Sequence, residues 1–268
     1  MAKKLGIIGC GKMAYAIAKG LFSASSFSWT EQLVYDIDVE KTEKFRLEFG
    51  SVPVSLAMLI KESDVIILAV KPDKVGEVLL SGCDLWSEDK LLVSVAAGIK
   101  TSSLEEICGI NMPVVRVMPN TPALVGQGVA AIAKGKFAKD EHIDLVYRIF
   151  STLGTVVVVQ EKMMDAVTAV SGSGPAYIYL IAEAMINAAV QIGLDIDTAR
   201  FLVLNTIKGS SAMLIETGEH PAVLREAVCS PGGTTIAAVR KLEESGLRKA
   251  FFEAVESAYK RSLELDSR

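Results

Sequence analysis

Apolar positions follow two different rhythms along the chain. Up to about residue 159 they come in short, β-branched runs at 4–9, 32–36, 64–70, 91–95 and 114–118, which end close to Gly, Pro or Asp. Runs of that length with no polar alternation predict parallel strands buried on both faces. Between them, residues 13–22, 39–49, 56–62, 73–80 and 101–107 repeat apolar positions at helical spacing. Strand and helix in alternation predict a doubly wound α/β sheet. Residues 128–133, 140–153 and 155–159 predict one more strand, helix and strand at its far edge.

From about Glu161 onward the strand rhythm stops and long helical patterns punctuated by glycine take over. Pro175 suits the first turn of a helix that Gly193 ends. A second runs from about Asp197 to Thr217, with Gly218 after it. A third begins within 230–235 and stops near Gly246, and the last covers 247–265. Proline just inside the start and glycine just past the end is the expected asymmetry of helix boundaries. The fold class is therefore α/β: an N-terminal doubly wound sheet over residues 1–160, followed by an all-helical domain over 161–268.

Composition narrows the partners. The 268 residues are half hydrophobic and 22% charged, enough for a large core and two domains. With 28 Lys and Arg against 32 Asp and Glu, a net charge of −4, no basic block and 6% aromatics, a nucleic-acid surface is excluded. The most apolar long stretch, 176–194, carries Glu183, Asn187 and Gln191 at intervals of four, a polar stripe that argues against a membrane span. The apolar start at Leu5 is too short for a leader, so a cytoplasmic protein is expected. Cysteines 10, 83, 108 and 229 form no CxxC pair, and only His142 and His220 are present. Reduced, mostly buried thiols and no metal site are expected.

The first strand runs into Gly9-Cys10-Gly11-Lys12-Met13-Ala14, a GxGxxA turn opening a helix. Gly9 allows the tight turn, Gly11 a close backbone approach to a pyrophosphate, and Ala14 close helix packing. The phosphate would rest on the helix N-terminus. Asp36 ends the next strand, where a carboxylate accepts both ribose hydroxyls of NAD and repels a 2′-phosphate. Lys41 and Lys44 are the nearest cations. Asp36 also suits the plain job of capping a turn. Ala69-Val70-Lys71-Pro72 lies at the carboxyl edge of the sheet, with Lys71 in reach of phosphate or ribose. The small residues Ala96 and Ala97 would let a flat nicotinamide ring pack closely, or simply form a tight corner.

Three further segments stand out. Arg116-Val-Met-Pro-Asn120-Thr-Pro follows a strand and is stiffened by two prolines. Ser171-Gly-Ser-Gly-Pro175-Ala-Tyr leads into a long helix. Ser230-Pro-Gly-Gly233-Thr234-Thr235 opens another, with glycines for close approach and hydroxyls that would hold a small carboxylate or phosphate. Its plain alternative is a helix start capped by Ser230.

These motifs, in this order and over almost the whole chain, resemble the pyrroline-5-carboxylate reductases. The resemblance implies a Rossmann-type dinucleotide-binding domain and a helical domain for substrate binding and dimerisation, with homodimers as the basic unit and decamers in some members. It implies reduction of Δ1-pyrroline-5-carboxylate to L-proline by NAD(P)H, the last step of proline biosynthesis. Ser230, Gly233, Thr234 and Thr235 match the substrate loop, Thr235 standing near the ring nitrogen. Glu161 matches a glutamate at the substrate site and, with Thr235, is the catalytic candidate. Ala69, Val70, Lys71, Pro72, Ala96, Ala97 and Asn120 match cofactor-side positions beside the glycine turn. Asp36 departs from members with a hydroxylated or basic stretch there and leans the cofactor toward NADH. The chemistry agrees with the scarcity of histidine: a cyclic imine binds already protonated, so hydride addition needs no strong acid, only groups that orient the ring and offset its charge. Two alternatives stay open. A β-hydroxyacid dehydrogenase would use a mid-helix lysine, for which Lys208 is the candidate. A non-catalytic NAD-binding protein would need the glycine turn but not the 230–235 segment.

Overall fold

A computed structural model describes residues 3–24 and 29–266. By backbone packing the chain divides into two compact units. One runs to Ser173 and takes back the chain from Ala258; the other spans Gly174–Ser257.

The first unit is built on an eight-stranded sheet ordered β3-β2-β1-β4-β5-β6-β7-β8. Strands β1 (Lys4–Ile8), β2 (Glu31–Tyr35), β3 (Val52–Pro53), β4 (Val65–Leu68), β5 (Leu91–Ser94) and β6 (Val114–Pro119) are parallel. The far edge adds β7 (Gly128–Lys134), antiparallel to β6, and β8 (Gly154–Val158), parallel to β7. Helices α1 (Lys12–Ser23), α2 (Val39–Phe49), α3 (Leu56–Glu62), α4 (Pro72–Ser81), α5 (Thr101–Cys108) and α6 (Asp140–Ser151) connect them. Order reverses between β1 and β4, which opens the crevice where such sheets bind ligands.

Alternate residues of each central strand feed two cores. Ile7, Val34, Ile67 and Val93 pack with α1 and α6, while Ile8, Leu33, Ile66 and Leu68 face the helices that include Leu59, Val75 and Leu104. The ends of the expected strands fall outside the ladder: Asp36 lies just past β2, while Asp64 precedes β4 and Val70 lies two residues beyond it. The two-residue β3 was not foreseen, being too short to carry a period.

After β8 a short helix α7 (Met164–Val167) continues as a π-helical turn over Thr168–Gly172. Met164 packs with Ala131, Ala133, Met118 and Val167 over the β6–β7 pair. The C-terminal end of the chain closes the same unit, where the buried Ser262 hydroxyl donates to Asp165 Oδ1 at 2.6 Å.

The second unit holds α8 (Gly174–Gln191), α9 (Ile196–Thr217), α10 (Pro221–Ala227), α11 (Thr234–Glu244) and the start of α12 (Leu247–Asp266). Gly218, left-handed at φ 64°, ends α9 as expected. The sequence reading missed α10, although Pro221 stands at its first position and His220 caps it, with Nδ1 accepting from the Ala222 N–H at 3.2 Å. No helix among the described residues is long and apolar enough to cross a membrane.

Candidate active site

Gly9 follows β1 with φ +90°, and a Cβ there would stand 2.8 Å from the Ala69 carbonyl oxygen. Only glycine fits. Gly11, the N-cap of α1, differs: it is extended, and a Cβ would meet nothing within 4 Å. Space ahead of the helix is therefore open, and no side chain caps α1. Lys12 and Met13 form the first turn, and Ala14 is fully buried against the sheet. That combination fits a pyrophosphate on backbone N–H groups.

Cys10 is buried in this turn. Burial first, then the nearby Asp36 charge, pushes its thiol up to about 12, so it stays protonated at neutral pH. The expectation of mostly buried cysteines needs correcting, because Cys83 is exposed and Cys229 only half-buried.

Asp36 ties two turns together. Its Oδ2 accepts the Cys10 N–H at 2.7 Å and its Oδ1 the Asp38 N–H at 2.9 Å. The turn-capping job therefore exists, and each oxygen keeps lone-pair capacity for a ribose hydroxyl. Lys41 Nζ stands 3.9 Å from Asp36 and 3.3 Å from Asp38. A hydrogen bond to Asp38, then the Asp36 charge, raises the Lys41 pKa. Lys44 is occupied elsewhere, 4.3 Å over the Tyr15 ring and 3.8 Å from Glu48. Of the two candidate cations, Lys41 is thus the one placed beside Asp36.

Ala69 and Val70 continue from β4, exposed Lys71 is the N-cap of α4, and Pro72 occupies its first turn. Beyond β5, the Ala96 N–H donates to Ser94 Oγ, and Gly98 turns the chain at φ +72°. Ala96 is buried and Ala97 half-buried.

Asn120 and Glu161 turn out to be held by the fold. Asn120 Nδ2 donates to the Ser171 carbonyl and hydroxyl oxygens at 3.2 and 3.4 Å, while its Oδ1 accepts the Val129 N–H at 2.9 Å. Asn120 therefore joins the end of β6 to β7 and to Ser171. Glu161 Oε1 accepts the Thr101 N–H, and its Oε2 accepts the Thr101 hydroxyl proton, both at 2.6 Å. The Arg116 guanidinium, whose side chain is 3% exposed, lies 3.7 Å from the same carboxylate. The Glu161 contacts thus make it an external cap on α5. Arg116 was not a site candidate; the available signal was a charge inside the apolar run Val114-Val-Arg-Val-Met, which a strand buries only with a partner.

In the helical unit, Gly232 is left-handed at φ +69° and the Gly233 N–H donates to the Ser230 carbonyl at 3.0 Å. Gly233, not Ser230, is the N-cap of α11, and no side chain caps it. Its missing Cβ leaves room for Ser230 Oγ. Thr234 and Thr235 open the helix, the first exposed and the second half-buried. Glycine-framed N–H groups with two hydroxyls at hand suit a small carboxylate.

Known proteins resemble this chain over almost its whole length. Residues 161–265 match the family model described as pyrroline-5-carboxylate reductase dimerisation, and residues 4–98 match one described as NADP oxidoreductase coenzyme F420-dependent. A pyrroline-5-carboxylate reductase of Corynebacterium melassecola is 41% identical, with 97% of this chain and 98% of the relative covered. One of Pisum sativum is 42% identical, covering 97% and 95%. Among solved structures, a pyrroline carboxylate reductase of Plasmodium falciparum with NADP bound superposes with a TM-score of 0.89 at 34% identity, with 98% of both chains covered.

Proposed function

This chain belongs to the pyrroline-5-carboxylate reductase family, and from that membership we propose that it reduces the C=N bond of Δ1-pyrroline-5-carboxylate to give L-proline, with hydride from NAD(P)H. The observation that carries the reading is the turn at 230–235, where an uncapped, glycine-framed helix start presents two hydroxyls to a small anion. A protein that only sensed NAD would not need it. A β-hydroxyacid dehydrogenase would need a lysine at the reacting carbon, and Lys208 is an exposed residue of α9.

The work divides between residues 1–160, which take the cofactor, and 161–268, which take the substrate and make the subunit contact. Gly9, Cys10, Gly11, Lys12 and Met13 form the pyrophosphate turn. Asp36 takes the adenosine ribose and favours NADH, and Ala69, Val70, Lys71, Pro72, Ala96 and Ala97 form the wall for the rest of the dinucleotide. Bound NAD(P)H supplies the hydride. Ser230, Gly233 and Thr234 hold the substrate carboxylate with hydroxyl and backbone donors, and Thr235 orients the ring nitrogen. The imine enters as its iminium, so hydride addition to carbon sends the C=N electron pair to nitrogen and leaves a neutral amine. No side chain has to deliver a proton in that step, and the binding groups act by position and electrostatics.

Loss of NAD(P)H absorbance on adding Δ1-pyrroline-5-carboxylate tests this directly. A protein that binds NAD(P)H yet leaves the imine unreduced would sink the reading.

A further inference from the structure

Helix α5 begins where the 95–100 turn ends, and something outside that helix holds its start. Its own N-cap, Lys100, makes no side-chain cap. Instead the Glu161 carboxylate reaches across sixty positions of sequence to take both the N–H and the hydroxyl of Thr101 at 2.6 Å. Thr101 is 3% exposed, so this clamp lies largely out of water. A negative charge at a helix start is also favoured by the helix dipole.

The clamp has a charged backing. Arg116 Nη1 lies 3.7 Å from Glu161 Oε1, and Arg116 Nη2 has no hydrogen-bond partner among the described residues. A buried guanidinium is costly without a counter-charge, and the Glu161 carboxylate is the acid placed beside it. One turn further along, Glu105 of α5 ties the helix to the loop after β7, its Oε1 accepting the Lys136 N–H at 2.7 Å. The 95–100 turn is therefore fixed at both ends, by Ser94 in the ladder and by Thr101 in the clamp.

We propose that Glu161 is a positioning residue for the cofactor: by clamping Thr101 it holds the 95–100 turn, with Ala96 and Ala97, in the place where the nicotinamide half of NAD(P)H packs. This rests on reading that turn as the cofactor wall, and it gives Glu161 a different job from orienting the imine.

The test is NAD(P)H affinity measured by nucleotide fluorescence without substrate, together with steady-state kinetics. Glu161→Gln removes the charge and one acceptor and should weaken cofactor binding about tenfold. Thr101→Val keeps the shape but removes the hydroxyl and should weaken it about threefold to tenfold, while Thr101→Ser should stay close to the unmodified protein. The double variant should be little worse than Glu161→Gln alone, because both changes break one clamp. At saturating cofactor the KM for pyrroline-5-carboxylate should hold. The proposal fails if cofactor affinity is unchanged in Glu161→Gln and Thr101→Val, even if their melting temperatures drop. It fails equally if the loss appears only in turnover or in substrate KM. Should the unmodified protein bind NAD(P)H but not reduce the imine, the functional reading falls while the affinity comparison still decides this one.

Discussion

The two units of this chain differ sharply in what they bury. In the sheet unit Ile7, Ile67, Val93 and Val115 are wholly inaccessible, and helices cover both faces. In the helical unit only Pro175, Ala182, Ala199 and Val203 are buried among the described residues, whereas Leu180, Phe201 and Phe252 are 67%, 68% and 78% exposed. Both have the apolar periodicity of folded elements, yet only the first satisfies it internally. Apolar surface on that scale is the mark of an interface. A second copy of the chain is the natural cover, and the family model matched over 161–265 is described by dimerisation.

The largest expected effect breaks this contrast directly. At micromolar concentration the protein should sediment at no less than twice its 28.7 kDa chain mass. Leu180→Glu combined with Phe252→Glu should shift it to monomer and abolish reductase activity, since each large apolar side chain is worth roughly 1.5–3 kcal/mol when covered. NAD(P)H binding, assigned to the sheet unit, should survive. A monomeric unmodified protein would remove the reason given for the helical unit's exposed face.

The units also share a device. Asp38, Ser55, Asp195 and His220 cap their helices with side chains, but α1 and α11 start from bare glycine, Gly11 at φ −77° and Gly233 at φ −78°. A side-chain cap would take the N–H groups that a ligand needs. The two starts differ in the pair of residues after the glycine: Lys12 and Met13 in one, Thr234 and Thr235 in the other. Thr235→Ala should therefore lower turnover about tenfold to a hundredfold, roughly 1.4–2.7 kcal/mol for one hydrogen bond to a charged group, and leave NAD(P)H binding intact. Ser230→Ala should act mainly on KM, because carboxylate binding changes little between substrate and transition state. Full turnover in Thr235→Ala would reduce that threonine to an ordinary helix-start residue.

The difference between the units also explains what could be read from the sequence. Strands buried on both faces leave short, mainly apolar runs, so β1, β4, β5 and β6 were legible within a residue or two. Helix stops at Gly218 and Gly246 were legible because each glycine is left-handed. What escaped lacked a period of its own: the two residues of β3, the single π-turn, and α10. The glycine turns could be found because the positive φ of Gly9 and Gly232 restricts the residue type there. The jobs of Glu161 and Asn120 could not, since their partners Thr101 and Ser171 lie far off in sequence, and a carboxylate that caps looks the same in sequence as one that binds substrate.

Asp36 sharpens the sheet-unit half of the contrast with a smaller effect. Its carboxylate should disfavour a 2′-phosphate, while Lys41 at 3.9 Å offsets part of that repulsion. NADH should support reduction at least as well as NADPH, and Asp36→Ser should raise the NADPH-to-NADH ratio of kcat/KM by about tenfold, the equivalent of roughly 1.4 kcal/mol. Since Asp36 also accepts from Cys10 and Asp38, the same change should cost some thermal stability. A strong NADPH preference in the unmodified enzyme would mean that Lys41 dominates and that Asp36 serves the turn alone.

The smallest effect concerns a helix of the sheet unit that does carry a side-chain cap. At the start of α6, His142 Nδ1 accepts the Lys139 N–H at 3.0 Å, which requires an unprotonated nitrogen. Burial lowers the His142 pKa below its ordinary value, with the Lys3 and Lys139 charges adding to this and Glu141 opposing it. Above the unfolded value of about 6.5 both states are neutral and the cap contributes fully. As pH falls below that value the unfolded chain takes up the proton first, so stability declines and is lost through the lower folded value. Melting should be flat from pH 8 to 7, with about 1–3 °C of the acid-side fall belonging to this group. His142→Gln keeps an acceptor that does not titrate in this range, so its melting curve should fall less on acidification. If the two curves run parallel from pH 7 to 5, the imidazole contributes nothing at that helix start, and side-chain capping in this unit is geometry without measurable stability.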